Sequence, residues 1–526
     1  MIPTLLPWVA ATLLPVVSSQ PTTSGPDEDG KYWLYGEGIS AAFIPYGASI
    51  SNLVIKDQYG IQRDIVGGYD NASYYSVDPV HPHFGSVPGR YANRIKNSTF
   101  EVDGVTYHVL PNENPTAEAP DGADTLHGGP DGWDWRNFTV ESYSSNSITF
   151  SLFDPDGKEG FPGDVVSYIT YTLGNMTWDF KMVAVSLTKA TPIMLSSHTY
   201  WNLDGFANNE TGTVLNHSFY SPYSGQRVAT DSILIPTGEI AANQPGSVND
   251  FWSAPKQIGA NISSPDLLNN CGYNCTGYDT CYLINRAQTG PYDWRADGGF
   301  VARLQSPWSG IQVDVYTDQD AFQLYSCNSM NGSMPLKTTQ GLTDDPDRPR
   351  TIPQHGCVVM EVEDWIDGIN QPEWQRGKKQ VYGPGDDPYV LQASYRFSIN
   401  GTVTPLPLPQ LLQTPSGLAL LELQGTFNTP VPDGSDDTVP IGRLDFPDYK
   451  PDSITFDPSS TAWMKRVYMY VGQHQRLTGE VKKLPKALGV VRRRKGGEMG
   501  TDELEIVEIV KHKIVFSSRP EPVGSA

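Results

Sequence analysis

The sequence predicts a mainly β protein: a large antiparallel β-sandwich, a Pro-rich linker, and a small β-rich domain. Three observations carry this. Short apolar or alternating runs recur between turn signals, as in "SAAFIPYGASISNLVI", "STFEVDGVTYHVL", "SITFSLFD", "VSYITYTL", "IQVDVYT" and "YRFSI", the period-two pattern of strands buried on one face. Gly (50) and Pro (43) are plentiful beside 27 Tyr and 12 Trp, which favours tight turns between short strands. No segment of convincing length carries the helical period, and P-loop, dinucleotide and HExxH motifs are missing, which leaves nucleotide and zinc-protease chemistry without a sequence basis.

Along the chain, residues 1–19 come first. "MIPTLLPWVAATLLPVVSS" is uncharged, apolar, broken by proline, and ends in small residues. It is too short for a comfortable membrane span and reads as a signal peptide cleaved near Ser19. Ten Asn-x-Ser/Thr sequons follow, at Asn71, Asn97, Asn137, Asn175, Asn209, Asn216, Asn261, Asn274, Asn331 and Asn400, with none beyond. Export with glycosylation is the expectation. All five cysteines (Cys271, Cys275, Cys281, Cys327, Cys357) lie in the same part. Two bridges and a spare thiol are compatible with an oxidising compartment, and the spacing leaves their pairing open. No metal is expected, because the cysteines lack paired CxxC spacing and no His pair accompanies them.

Charge divides the chain in the same way. Formal net charge is -22, yet residues 401–526 carry 15 basic and 15 acidic side chains. All of the excess acidity belongs to the first 400 residues, which argues against nucleic-acid binding there. Between them "TVTPLPLPQLLQTPSG" repeats Pro at short spacing, as an extended linker does. We place the first domain at 30–400, the linker at 401–417 and the second domain at 418–524.

Four clusters in the first domain carry polar side chains suited to chemistry: Asn93 and Arg94 in "PGRYANRIKNSTF", His127 in "TLHGGPDGWDW", His198 in "SSHTYWNLDG", and Glu361 with Glu363 in "CVVMEVEDWIDGINQP". Singly, each has a structural explanation: a hydrogen-bonding core histidine, a solvated strand edge, a packed Trp201. Together they suit a carbohydrate pocket, where aromatic faces stack on the sugar and fixed polar groups select its hydroxyls. Proton transfer at an anomeric centre then needs one group to give a proton and another to take one.

The order "GRYANRI", "LHGG", "HTYWNL", "GYD", "YTDQDAFQLYS", "MEVEDWIDGINQP" resembles the aldose 1-epimerase (galactose mutarotase) family. The resemblance implies a galactose mutarotase-like supersandwich and interconversion of α and β anomers of a free aldohexose, without a cofactor. It casts His198 as general acid and Glu361 as general base, with Asn93, Arg94, His127, Tyr200, Asp279 and Gln323 at the sugar-binding positions. Burial beside Trp365 is expected to raise the basicity of Glu361. Ser197 and Glu363 depart from the family's usual Asn and Gln, which leaves the preferred sugar open. A hexose-6-phosphate substrate would call for clustered cations, and the motifs supply mainly Arg90 and Arg94. A non-catalytic sugar-binding sandwich would keep the aromatics without needing His198 and Glu361 together.

The second domain resembles chromosome transmission fidelity protein 8, through "LALLELQG", the "RVYMYVGQHQRLTGEVKKLPK" hairpin and "KHKIVFSSRPEP". This implies a non-catalytic module that binds clamp-loader and sister-chromatid cohesion subunits in the nucleus. Its basic run Arg492, Arg493, Arg494 and Lys495 suits DNA phosphates or a nuclear signal, but a solvated hairpin is preferred because the domain's charge is balanced. Secretory and nuclear halves sit awkwardly in one chain. The expectation is therefore two neighbouring genes joined in one reading frame, with a bifunctional fusion second.

Overall fold

The computed structural model describes residues 25–286, 293–296, 299–342, 349–399, 411–414, 417–423, 443–449, 460–471, 475–494, 503–516 and 521–522. The expected leader (1–19) and the sequon at Asn400 lie outside them. The chain falls into two units that divide between Thr404 and Pro405. Among the described residues strands dominate, with one four-residue α-helix, Gly377–Gln380. No helix of the described residues is long and apolar enough to cross a membrane.

In the first unit a nine-stranded antiparallel sheet has Tyr389–Ile399 between Thr177–Ser186 and Ile311–Thr317. Val165–Leu173 and Thr177–Ser186 bury alternate residues, as the sequence period requires of a sheet wet on one side. A six-stranded sheet runs Tyr200–Trp201, Val358–Glu363, Ala321–Tyr325, Asp279–Leu283, Gln226–Thr230, Pro236–Ala242. The two sheets meet through aromatic rings: Trp201 of the smaller stacks on Tyr395 of the larger at 5.5 Å, and Trp178 of the larger adds a tilted contact with Trp201 at 6.1 Å. Such large fully buried rings supply much of the apolar burial that holds the layers together. Trp201 is thus core, with no exposed surface.

Val358–Glu363 is the element that matters for function, because none of its six residues is exposed. Alternation sends Val358, Met360 and Val362 into the main core. Val359, Glu361 and Glu363 therefore take the opposite face. On the neighbouring strands Gln323 stands opposite Glu361, and Cys281 opposite Gln323. One pleat along, Tyr200, Val359, Tyr325 and Asp279 form a second cross-strand row. A sheet face with two rows of polar side chains is what the rest of the site is built against. Disulfides join Cys271 to Cys275 and Cys327 to Cys357, and Cys281 is a buried free thiol; the pairing left open by spacing is thereby settled by proximity.

The second unit is one mixed sheet ordered Leu411–Thr414, Gly417–Leu423, Glu503–Phe516, Gln475–Arg494, Val467–Val471, Arg443–Asp445. Part of the expected linker is therefore strand: Leu411–Thr414 pairs with Gly417–Leu423. The physical reason is that the prolines at 405, 407 and 409 end before Leu411, leaving "LLQT" its amide donors. Trp463, Val467, Met469, Leu477, Val481, Ile514 and Phe516 make its core. The basic run lies on the long arm Gln475–Arg494, where Arg492 stands opposite Glu505 and Arg494 opposite Glu503. The side chains of Arg492, Arg493 and Arg494, and Lys495 altogether, lie outside the described residues.

Arg90 shows how the turns above the first sheet are fastened. It is 1% exposed and donates to Asp154 at 2.8 Å and to the carbonyls of Pro162 and Gly163 at 2.8 and 2.9 Å. Trp133 Nε1 donates to the same Asp154 carboxylate at 2.9 Å. Removing one member of a buried ion pair strands the other, so Arg90→Ala is expected to cost about 3–5 kcal/mol in denaturant unfolding; a cost below ~1 kcal/mol would contradict this role.

Candidate active site

Four strands and three turns converge on one open cavity of about 320 Å³. The strand rows supply Glu361, Gln323, Asp279 and Tyr200, and the turns supply Asn93, Arg94, His127 and His198. All eight residues singled out in the sequence line it. Their separation in sequence, from 93 to 361, is bridged by Asn93 Nδ2 donating to Glu363 Oε1 at 3.0 Å.

The turn residues adopt unusual backbone. Asn93 and His127 both have positive φ (60° and 53°), a region that costs energy for residues with a Cβ. They hold one another: His127 N donates to Asn93 O at 3.0 Å, and Asn93 N to His127 Nδ1 at 3.1 Å. Since Nδ1 accepts, the proton of the neutral ring sits on Nε2. The "LHGG" glycines are required by space: a Cβ on Gly128 would lie 2.1 Å from the carbonyl oxygen of Gly89.

Arg94 is gripped at both ends of its fork by Glu113, at 2.7 Å from each carboxylate oxygen, and lies 3.9 Å from Asp279 Oδ2. Asp279 in turn accepts from Gln323 Nε2. Glu113 was invisible to motif reading, because it sits in an irregular loop with no flanking signature. Trp365, expected beside Glu361, packs against the cluster of Cys281, Leu283, Ala321 and Ile366 and does not line the cavity. It follows the strand end, and its ring meets Trp374 at 5.6 Å under the Arg376 guanidinium. What desolvates Glu361 is its place inside the sheet.

His198 Nε2 lies 3.6 Å from Glu361 Oε1. The His198 backbone is tied at both groups: its N donates to Ser86 O and its O accepts from Gly85 N, each at 2.9 Å. Burial first, then the neighbouring His83, pushes the imidazole down to about 3. Burial, with Glu363 and Asp279 adding their negative charge, raises Glu361 well above the carboxylate range. The same burial lifts Glu363 to about 8. The His198–Glu361 pair therefore holds one proton between them over a wide pH range. Glu361 Oε2 and Gln323 Oε1 are buried with no partner among the described residues, a costly state that a bound polar molecule would relieve.

Among the described residues, histidines and carboxylates of two groups lie close enough to share an ion: His81, His83, Asp134 and His127, His198, Glu361. Neither includes a cysteine. In the first, both imidazoles already bond the carboxylate, at 2.9 and 2.6 Å. His81, His83 and Asp134 carry no motif of their own, although "HPHFG" stands three residues before "GRYANRI".

A buried imidazole and carboxyl group facing one open cavity in a β-sandwich are chemically able to exchange a proton with a bound molecule. Residues 33–399 match the family model described as Aldose 1-epimerase, so the chain belongs to the aldose 1-epimerase family of isomerases. Residues 411–523 match the Ctf8 family model. The chain is 41% identical over 392 residues to a probable aldose 1-epimerase of Arthroderma benhamiae, covering 70% of this chain and 86% of that one. It is 30% identical to Homo sapiens galactose mutarotase, covering 70% and 94%. A Caenorhabditis elegans GalM/aldose epimerase homologue shares the fold (TM-score 0.57, 24% identity, covering 70% and 99%).

The sign of the two shifts fixes the pH behaviour. A lowered His198 takes a second proton only far below 6.5, and a raised Glu361 releases its proton only far above 4.5. The expected kcat/KM for mutarotation, corrected for buffer catalysis, is flat through pH 6.5. An acid limb centred at that ordinary histidine value would contradict the shared-proton state.

Proposed function

We propose that the first unit interconverts the α and β anomers of free aldohexoses such as glucose and galactose. The observation that carries this is the pairing of His198 with Glu361 in a cavity where Glu361 Oε2 and Gln323 Oε1 lack partners among the described residues. In the reactive arrangement Glu361 is the carboxylate and His198 the imidazolium. Glu361 takes the proton of the C1 hydroxyl, the C1–O5 bond breaks as C1 becomes the aldehyde, and His198 delivers its proton to O5. Rotation about C1–C2 exposes the other face of the aldehyde. O5 then re-adds, its proton returning to His198 and that of Glu361 to O1, which regenerates both groups.

This arrangement has the same proton count as uncharged Glu361 with neutral His198, which burial favours in the empty cavity. Hydrogen bonds from sugar hydroxyls, together with Arg94, would tip the proton toward His198. His127, donating from Nε2, and the Asp279–Gln323 pair are suited to grip ring hydroxyls. A phosphorylated hexose fits less well. Among the described residues Arg94 is the one Lys or Arg lining the cavity, and Glu113 occupies its fork; Arg90 is spent on Asp154.

The rest of the reading is of the whole chain. We propose that residues 20–400 are exported and glycosylated. Eight of the nine described sequon asparagines are exposed and Asn261 is partly so, whereas the buried asparagines 52, 93, 202, 208, 243 and 249 stand in no sequon. For the second unit we propose association with clamp-loader and cohesion subunits through its sheet edges and apolar faces. Arg492 to Lys495 is assigned to a solvated hairpin rather than to DNA. Two such fates in one chain favour joined reading frames over a bifunctional protein.

Polarimetry on freshly dissolved α-glucose and α-galactose tests the first part. His198→Ala and Glu361→Gln are each expected to lower kcat by roughly 10²–10⁴-fold. Variants that mutarotate as fast as wild type would remove the acid–base assignment. Sizing the native product in secreted and nuclear fractions tests the second part. Two smaller species are expected, and a single glycosylated species carrying both units would overturn the joined-frame reading.

A further inference from the structure

The turn at residues 81–86 brings two imidazoles to the cavity that the acid–base pair does not use. They differ in how they are spent. His81 is 7% exposed, stacks on Trp135 with ring centroids 3.4 Å apart, and places Nε2 at 2.9 Å from Asp134 Oδ2. Packing and one hydrogen bond account for it. His83 also reaches Asp134 Oδ2, through Nδ1 at 2.6 Å, yet its side chain keeps 22% of its surface. Its ring lies in the cavity wall, 5.0 Å from that of His127 and 5.5 Å from that of His198.

His83 is also held where it stands. Its backbone has φ +60°, an unfavourable region for a residue with a Cβ. The carbonyl of His83 is fixed by Ser86 N and Oγ at 3.2 and 3.0 Å. The same turn accepts from His198 N at Ser86 O and from the Tyr200 hydroxyl at Pro82 O. The position of the His83 ring is thus coupled to the acid–base pair by backbone hydrogen bonds. Asp134 is 1% exposed. Burial alone would raise it, but the bonds from His81 and His83 more than offset this and hold it as a carboxylate.

We propose that His83, oriented by Asp134, contacts the sugar through Nε2 and binds one of its hydroxyls, so that it takes part in choosing the aldose. Nδ1 carries its hydrogen toward the carboxylate, which leaves Nε2 as the ring's remaining polar atom. In the neutral ring that atom is an acceptor, suited to an O–H donor. Specificity of this kind is strong because a cavity group left unpaired by the wrong epimer pays its desolvation without return. The proposal rests on the mutarotase reading of the cavity.

The test compares wild type, His83→Phe, Asp134→Asn and the double variant on glucose, galactose, and their 2-, 3-, 4- and 6-deoxy analogues. For His83→Phe a KM increase of roughly tenfold is expected with kcat within about threefold. The increase should vanish for the one deoxy sugar that lacks the contacted hydroxyl. Asp134→Asn should give the same sugar profile, and the double variant should lose nothing further. His83→Gln, read in the same way, replaces the Phe variant if that fails to fold. Unchanged KM for every sugar, or an equal loss on all of them including every deoxy analogue, overturns the proposal. A wild-type protein that mutarotates none of them overturns the parent reading and this one together.

Discussion

A carboxylate placed inside a β-sheet is the constraint from which the rest of the site follows. On Val358–Glu363 both faces are covered, so period two must send Glu361 and Glu363 into a buried interior rather than to water. Burial of two carboxyl groups two residues apart penalises their shared negative charge. The structure meets this with Asn93 on Glu363, Arg94 within the same cavity, and His198 at 3.6 Å from Glu361. An isolated surface glutamate would have an ordinary acidity and little use for moving protons near neutral pH. Here burial in the sheet raises the Glu361 carboxyl.

The turns that complete the cavity are costly in a second sense. Asn93, His127 and His83 all stand at positive φ, and none is glycine. Such backbone persists only where surrounding hydrogen bonds over-determine it. The Asn93–His127 exchange and the Ser86–His83 bonds do so. Rigid presentation of these side chains reduces the ordering that would otherwise accompany binding. The fold therefore spends backbone conformational energy at the rim while the aromatic stack between the sheets supplies stability underneath.

Much of this was legible in the sequence, for identifiable reasons. Alternating runs revealed strands, and ordered short motifs brought the eight residues of one cavity onto the page. Four things escaped. His83 and Asp134 lie in turns without period, and only the HPH spacing before the Gly-Arg motif hinted at them. Glu113 is recruited by long-range geometry to Arg94, which no local pattern encodes. Trp365 does not line the cavity because, two residues past Glu363, it lies beyond the strand end and its ring meets Trp374. Position within a strand is readable from alternation, but the course of the chain after the strand ends is not. The strand at Leu411–Thr414 was likewise hidden by the prolines just before it.

The two units obey the same logic of strand pairing but different chemistry: the first closes a polar row over a cavity, and the second sets Arg492 and Arg494 of one arm opposite Glu505 and Glu503 of the next. The central claim concerns the first. Magnetisation-exchange NMR on an equilibrated aldohexose measures anomer interconversion directly, without a net change in concentration. The expected result is exchange between the α and β anomeric protons whose rate rises in proportion to enzyme, with none in the corresponding methyl glycoside, where O1 has no proton to give. Exchange no faster than in buffer, for every free aldohexose tried, would contradict the claim that the buried His198–Glu361 pair works on an anomeric centre.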